Sequence, residues 1–182
     1  MPDLMHHLTE IARCAALYRQ EELAPLGLKT CHASYLDAIC ACPGITQDQL
    51  ARRIFINKSN VARQLVILEE DGFVERRPSP EDKRAVQVFP TEKARACMPE
   101  ITRIFRCWES FVGQDLTEDE RKALVFMLEK LKARSADWME NRYYDQRPGP
   151  MVRGVVFSIF LLTQNRYIRR CGFDISAFAD SI

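Results

Sequence analysis

Apolar positions recur at three- and four-residue steps through most of the chain, and the places where that rhythm stops mark its elements. Leu4, Leu8, Ile11, Ala15 and Tyr18 trace one face of a first helix that ends before Pro25 and Gly27. A second helix is predicted from Thr30 to about Cys40, with His32, Tyr35, Leu36 and Ile39 on one stripe, and Cys42-Pro43-Gly44 breaks it sharply. Thr46 followed by Gln49 is a capping-box pattern, so a short helix starts there and turns Leu50, Ala51 and Ile54 inward. Phe55-Ile56 lacks a helix-promoting continuation and Asn57 is a favourable N-cap. The next helix therefore runs from Lys58 to about Asp71, with Val61, Leu65 and Leu68 on its apolar face and Gly72 where a left-handed residue belongs. Two short helices, a tight turn and a small residue, Ala51, at the crossing predict a helix-turn-helix.

Phe73 to Arg77 and Ala85 to Phe89 are short strand-like runs, and the prolines and charges between them predict a hairpin. Its tip carries Glu81-Asp82-Lys83-Arg84. Thr91 opens a long helical stretch that is expected to bend or break at Pro99. Thr117 and Glu120 form a second capping box, and Leu124, Met127, Leu128, Leu131 and Trp138 follow in helical register. Residues 141–150 are polar and proline-marked, as a linker is. Beyond Pro150, Val156, Phe157, Phe160, Leu161, Ile168 and Cys171 fit a last helix stopped by Gly172, with a strand as the alternative because Val155, Val156 and Ile159 are β-branched. The fold class that follows is mainly α with a small β-hairpin wing.

Composition narrows the picture in two ways. Apolar residues make up 47% of the 182 positions, enough for a core, whereas a formal net charge of +1 gives no global basic field. Any case for nucleic acid must rest on local charge. From Gln49 through Leu68 there are Arg52, Arg53, Lys58 and Arg63 and no acid, which is the distribution phosphate contacts need. Seven cysteines, an odd number scattered through helix-like segments without a secretory signal, fit reduced thiols in the cytoplasm. The longest apolar run, Val155 to Leu162, is far short of the roughly twenty residues of a membrane helix.

The second helix of a helix-turn-helix reaches the major groove with its N-terminal turns. Here those turns offer Ser59, Asn60, Arg63 and Gln64. Arg can pair twice with guanine, Asn and Gln can do so with adenine, and Ser can serve either. A hairpin directly after that helix is a wing. Its tip reaches the neighbouring minor groove, whose negative potential attracts an inserted Arg. Arg84 is the candidate for insertion and Lys83 for a phosphate contact, while Asp82 is expected to hold the tip by pairing with an Arg such as Arg76 or Arg77. Taken singly, each of these residues reads better as a cap or a solvated charge than as a DNA contact; together on this frame they favour double-stranded DNA.

From GLKTCHASYLDAICACPG through LARRIFINKSNVARQLVILEEDGFVERR to PEDKRAVQVFPTEKARA, the chain resembles the MarR family of bacterial winged-helix regulators. The LEEDGFVERR junction and the D-x-R of Asp82-Lys83-Arg84 carry the likeness, which extends more weakly from about Leu8 to Trp138. The resemblance implies a homodimeric transcription regulator, expected to be a ligand-responsive repressor, on a pseudo-palindromic operator. Arg84 would be its wing arginine and Arg63 the arginine of its recognition helix. The organisation expected is an N-terminal dimerisation helix over 1–28, a winged helix-turn-helix over 29–90 and C-terminal dimerisation helices over 91–140. A linker and extra segment of unassigned role follow over 141–182; that tail, and Ala94 where the family has glycine, depart from the pattern.

The same likeness implies a small aromatic or anionic effector, for which Tyr18, His32 and Tyr35 offer polar handles or are ordinary interior residues. Some relatives sense peroxides through a cysteine of the first helix, where Cys14 stands. Cys31, His32, Cys40 and Cys42 are metal-ligating types, but Cys31 and Cys40 would lie about 13 Å apart along one helix, too far to share an ion. No catalytic set, phosphate loop or cofactor motif emerges, so neither an enzyme nor a cofactor or metal is expected. The alternative from another class is a winged-helix module that docks on protein instead of DNA.

Overall fold

Four helix ends set the frame of the first part of the chain, which a computed structural model describes for residues 4–80 and 85–140. Helix α1 (Leu4–Leu23) runs into a single 3₁₀ turn at Ala24–Leu26, closed by Gly27 in the left-handed region. Helix α2 (His32–Ala41) begins two residues later than predicted, because Thr30 and Cys31 form a turn. Helix α3 (Gln47–Arg53) opens on the predicted capping box: Thr46 Oγ1 accepts the Gln49 N–H, and the Gln49 side chain accepts the Thr46 N–H at 2.9 Å. Helix α4 (Lys58–Glu70) is capped by Asn57, whose Oδ1 accepts the Asn60 N–H at 2.8 Å.

The turn between α3 and α4 closes as a Schellman motif. Ile56 N–H donates to the Ala51 carbonyl at 3.0 Å and Phe55 N–H to that of Arg52 at 3.2 Å. Phe55 itself occupies the left-handed position, φ 55°, normally left to glycine. The end of α4 repeats the motif with Gly72 (φ 73°) in that place, and Phe73 N–H donates to the Leu68 carbonyl at 2.8 Å.

Strands β2 (Val74–Pro78) and β3 (Val86–Pro90) form the expected antiparallel hairpin, with Arg76 opposite Val88. A strand that the sequence did not announce, β1 (Ile45–Thr46), pairs with the other edge of β3 through Ile45 and Val88, giving the order β1-β3-β2. Two residues are too few to show a period of two. Glu69 joins helix to hairpin: it accepts the Arg76 backbone N–H at 3.0 Å through Oε1 and the Arg76 Nε–H at 2.8 Å through Oε2. Those bonds hold the Glu69 carboxyl below the ordinary carboxylate range.

Helix α5 (Glu92–Val112) is uninterrupted, so the expectation of a break at Pro99 is corrected. Pro99 removes one donor, the partner of the Arg95 carbonyl. Both residues are exposed, where water can replace it, while Ala94, Ile101 and Ile104 on the other face are buried and hold the helix across the gap. The core beneath it is contributed by Tyr35, Leu36 and Ile39 of α2, Leu50 and Ala51 of α3, and Val61, Leu65 and Leu68 of α4, none more than 2% exposed.

The chain divides after Glu118. Helix α6 (Glu118–Met139) has no buried residue; of the predicted stripe, Leu124, Met127, Leu131 and Trp138 are exposed. On α1 too, Leu4 and Ile11 of the predicted face are exposed and Ala15 is buried.

His32 is the buried polar side chain of α2, 0% exposed. Its Nδ1 accepts the Lys29 N–H at 3.3 Å, its Nε2 lies 3.1 Å from Gln64 Oε1 on α4, and burial lowers its pKa below the ordinary histidine value.

Two outcomes follow. Leu65→Ala should destabilise the fold by about 2–5 kcal/mol, whereas Val66→Ala on the exposed side should stay within about 0.5 kcal/mol, both read from urea unfolding. Because the unfolded chain takes up the His32 proton more readily than the folded one, the stability present above about pH 6.5 falls as pH drops towards the lowered folded value. A non-titrating residue at 32 should flatten that stretch of a stability-against-pH curve.

Candidate nucleic-acid interface

Helix α4 buries Val61, Leu65 and Leu68 and leaves Lys58, Ser59, Arg63, Val66 and Glu70 exposed. Its first turn is organised by the cap, since Ser59 Oγ donates to the same Asn57 oxygen at 2.9 Å that accepts the Asn60 N–H. Ser59 is exposed and Asn60 half-buried. One turn on, Arg63 is exposed and has no carboxylate partner among the described residues. Gln64, half-buried like Asn60, differs from the others in that its side-chain oxygen faces His32 and Cys31 at the start of α2.

The cationic count along α3 and α4 shrinks once the chain is folded. Lys58, at the first position of α4, pairs with Asp48, which lies just outside the acid-free run counted in the sequence. Arg53 Nη1 donates to Cys42 Sγ at 3.1 Å. Arg52 is half-buried on α3. The exposed charge beside the start of α4 therefore rests mainly on Arg63, with Lys58 partly neutralised.

The wing is anchored at its base. Arg76 is held by Glu69, and Arg77 lies over the Phe89 ring at 4.8 Å while pairing with Glu75 at 2.6 Å. Ser79 N–H donates to the Ala85 carbonyl at 2.9 Å, closing the hairpin just below its tip. Asp82, Lys83 and Arg84 lie outside the described residues. Arg76 and Arg77, the partners expected for Asp82, each already have a glutamate.

The three effector candidates have three different surroundings. Tyr18 is half-buried and stacks on Trp108 with ring centroids 5.3 Å apart, joining α1 to α5. Tyr35 is fully buried, its hydroxyl has no hydrogen-bond partner among the described residues, and burial pushes its pKa up to about 12. His32 faces Gln64. Cys14 is exposed on α1. Among the described residues no three or more His, Cys, Asp or Glu side chains converge as metal ligands would. Sequence reasoning missed the His32–Gln64 contact and the Asp48–Lys58 pair; the first joins residues 32 apart, and no local pattern announces it.

Known proteins match this arrangement. The family model for the MarR family matches residues 26–85, from the end of the 3₁₀ turn to the wing. The HTH-type transcriptional regulator BilQ of Clostridium symbiosum is 30% identical over 63% of this chain and 80% of its own length. The crystal structure of MarR superposes with a TM-score of 0.71 at 32% identity, over 76% of this chain and 95% of that one. A MarR family transcriptional regulator from Listeria monocytogenes, solved in complex with 26mer DNA, superposes at 0.72 with 27% identity, over 82% of this chain and all of that one. With the helix-turn-helix, the hairpin and these likenesses together, the chain belongs to the MarR family of winged-helix transcription regulators.

Proposed function

We propose that this regulator binds a pseudo-palindromic operator as a homodimer, the N-terminal turns of α4 in the major groove and Arg84 of the wing in the minor groove. The observation that carries this reading is the division of α4 into a buried face and an exposed one that begins at a capped, uncovered N-terminus bearing Ser59, Asn60 and Arg63. Arg63 is the base-reading residue of the set, suited to guanine; Lys58 and Arg52 hold phosphate, as does Lys83 on the wing. The DNA-bound relative from Listeria monocytogenes supports the same use of the fold.

Dimerisation has a geometric reason. One recognition helix reads too few bases, and two of them about 34 Å apart meet successive faces of the major groove. The exposed apolar side chains Leu4, Ile11 and Leu17 of α1, and Phe126, Leu131 and Trp138 of α6, support residues 1–28 and 91–140 as the segments that a second copy covers. Relief of repression by a small aromatic or anionic effector completes the reading. The unbonded Tyr35 hydroxyl supports a polar contact of that kind, with Tyr18 and His32 as the other candidates.

Selection of bound duplexes from a random pool tests the whole reading: two inverted half-sites are expected, and sequences without symmetry would refute the dimer. On the selected operator, Arg63→Ala should weaken binding about tenfold or more and relax preference at one base pair. Binding should also fall log-linearly with salt concentration; a salt-independent complex would instead mark a protein-docking module. Arg84→Ala should weaken operator binding without moving the thermal melt, since a wing tip adds little to the core. Unchanged affinity in that variant would exclude the minor-groove role.

A further inference from the structure

Gln64 does not meet solvent as a free amide. Its Oε1 lies 3.1 Å from His32 Nε2 and accepts the Cys31 thiol at 3.8 Å. The histidine's other nitrogen fixes the tautomer. The Lys29 backbone N–H can only donate, and it points at Nδ1 from 3.3 Å, so Nδ1 carries the lone pair and Nε2 the proton. An N–H and an S–H both aimed at the same amide end require that end to be oxygen. A carbonyl oxygen has two lone pairs, and here both are taken. What Gln64 has left for a partner is its NH₂ group.

We infer that His32 is a specificity-determining positioning residue: with Cys31 it holds the Gln64 oxygen, so that α4 presents a donor and selects guanine over adenine at the base pair it faces. A glutamine reads adenine by giving a hydrogen bond to N7 while accepting one from N6, and the second half needs the oxygen that His32 occupies. Guanine offers two acceptors, O6 and N7, and asks for donors alone. The inference rests on the major-groove placement of α4 proposed above. It narrows the expectation from sequence, in which Gln64 was free to pair with adenine.

The test uses the full chain and the selected operator. Gln64→Ala locates the base pair that Gln64 reads. There the wild-type protein should favour guanine over adenine by about tenfold, the size of one good base contact. Replacing that adenine by purine, which lacks the 6-amino group, should tighten binding, because a donor facing a donor has been removed. His32→Phe, similar in bulk but unable to donate, frees the amide to turn and should shift preference towards adenine; in the Gln64→Ala background the same change should leave preference unmoved. The adenine-to-purine comparison needs no variant, so it stands even if His32→Phe does not fold. Adenine favoured by the wild type, purine bound more weakly than adenine, a folded His32→Phe with unaltered preference, or Gln64→Ala without effect at any base pair would each overturn the assignment. If the wild type binds duplex DNA with adenine favoured, the docking of α4 stands and only the role of His32 falls. If it shows no salt-dependent duplex binding, the docking itself is wrong.

Discussion

Helix α4, the proposed recognition helix, must satisfy two opposed demands, and the residues around it meet both. Val61, Leu65 and Leu68 have to be fully out of water to hold α4 in place, while the first turns of the same helix have to stay uncovered. A helix of 13 residues permits this because its apolar positions fall on one stripe and leave most of the circumference free. Helix α4 packs on α3, whose Ala51 is small and fully buried, and on the strand β2. Polar bonds then fix the direction of α4: the Asn57 cap at its start, the left-handed Gly72 at its end, and Glu69 reaching to Arg76 on the wing.

That last contact gives the LEEDGFVERR stretch a physical meaning. Leu68 enters the core, Glu69 captures both the backbone and the guanidinium of Arg76, Gly72 supplies the reversal, and Phe73 and Val74 are buried as the hairpin begins. Helix and wing are thereby set at a fixed relation. The proposed engagement of two grooves at once needs such a relation, because a hinge here would let each element bind without the other. The partly buried Arg76–Glu69 pair matters for this geometry rather than for its Coulomb energy, which solvent screens.

Charge and hydrogen bonding at the interface come out differently once the chain is folded. Asp48 neutralises part of Lys58, Cys42 engages Arg53, and Gln64 is drawn back against His32. Of the basic residues on α3 and α4, Arg63 is the one left exposed without a carboxylate partner among the described residues. The exposed apolar surfaces of α1 and α6 answer a different need. They lie on two elements outside the helix-turn-helix and its hairpin.

Local chemistry was readable directly from the residues. Thr46 with Gln49, Asn57, Gly72 and Thr91 each mark a helix end through bonds to backbone two to four residues away, and apolar periodicity named the large buried side chains of α2, α3 and α4, although Ile54, expected to point inward, is a half-buried C-cap and buried Ala33 and Ala38 went unmarked. The helix-turn-helix and the hairpin followed from these signals, because they depend on neighbours in sequence. Four features did not. The two-residue strand β1 exists only because β3 lends it partners; α5 runs through Pro99 only because its other face is buried; Phe55 takes a left-handed conformation that its own side chain disfavours; and Gln64 meets His32 across 32 residues. Each is decided by what the rest of the fold places nearby. Sequence spacing determines which groups can bond along the chain, and only the packed structure determines which distant donor reaches a given acceptor first.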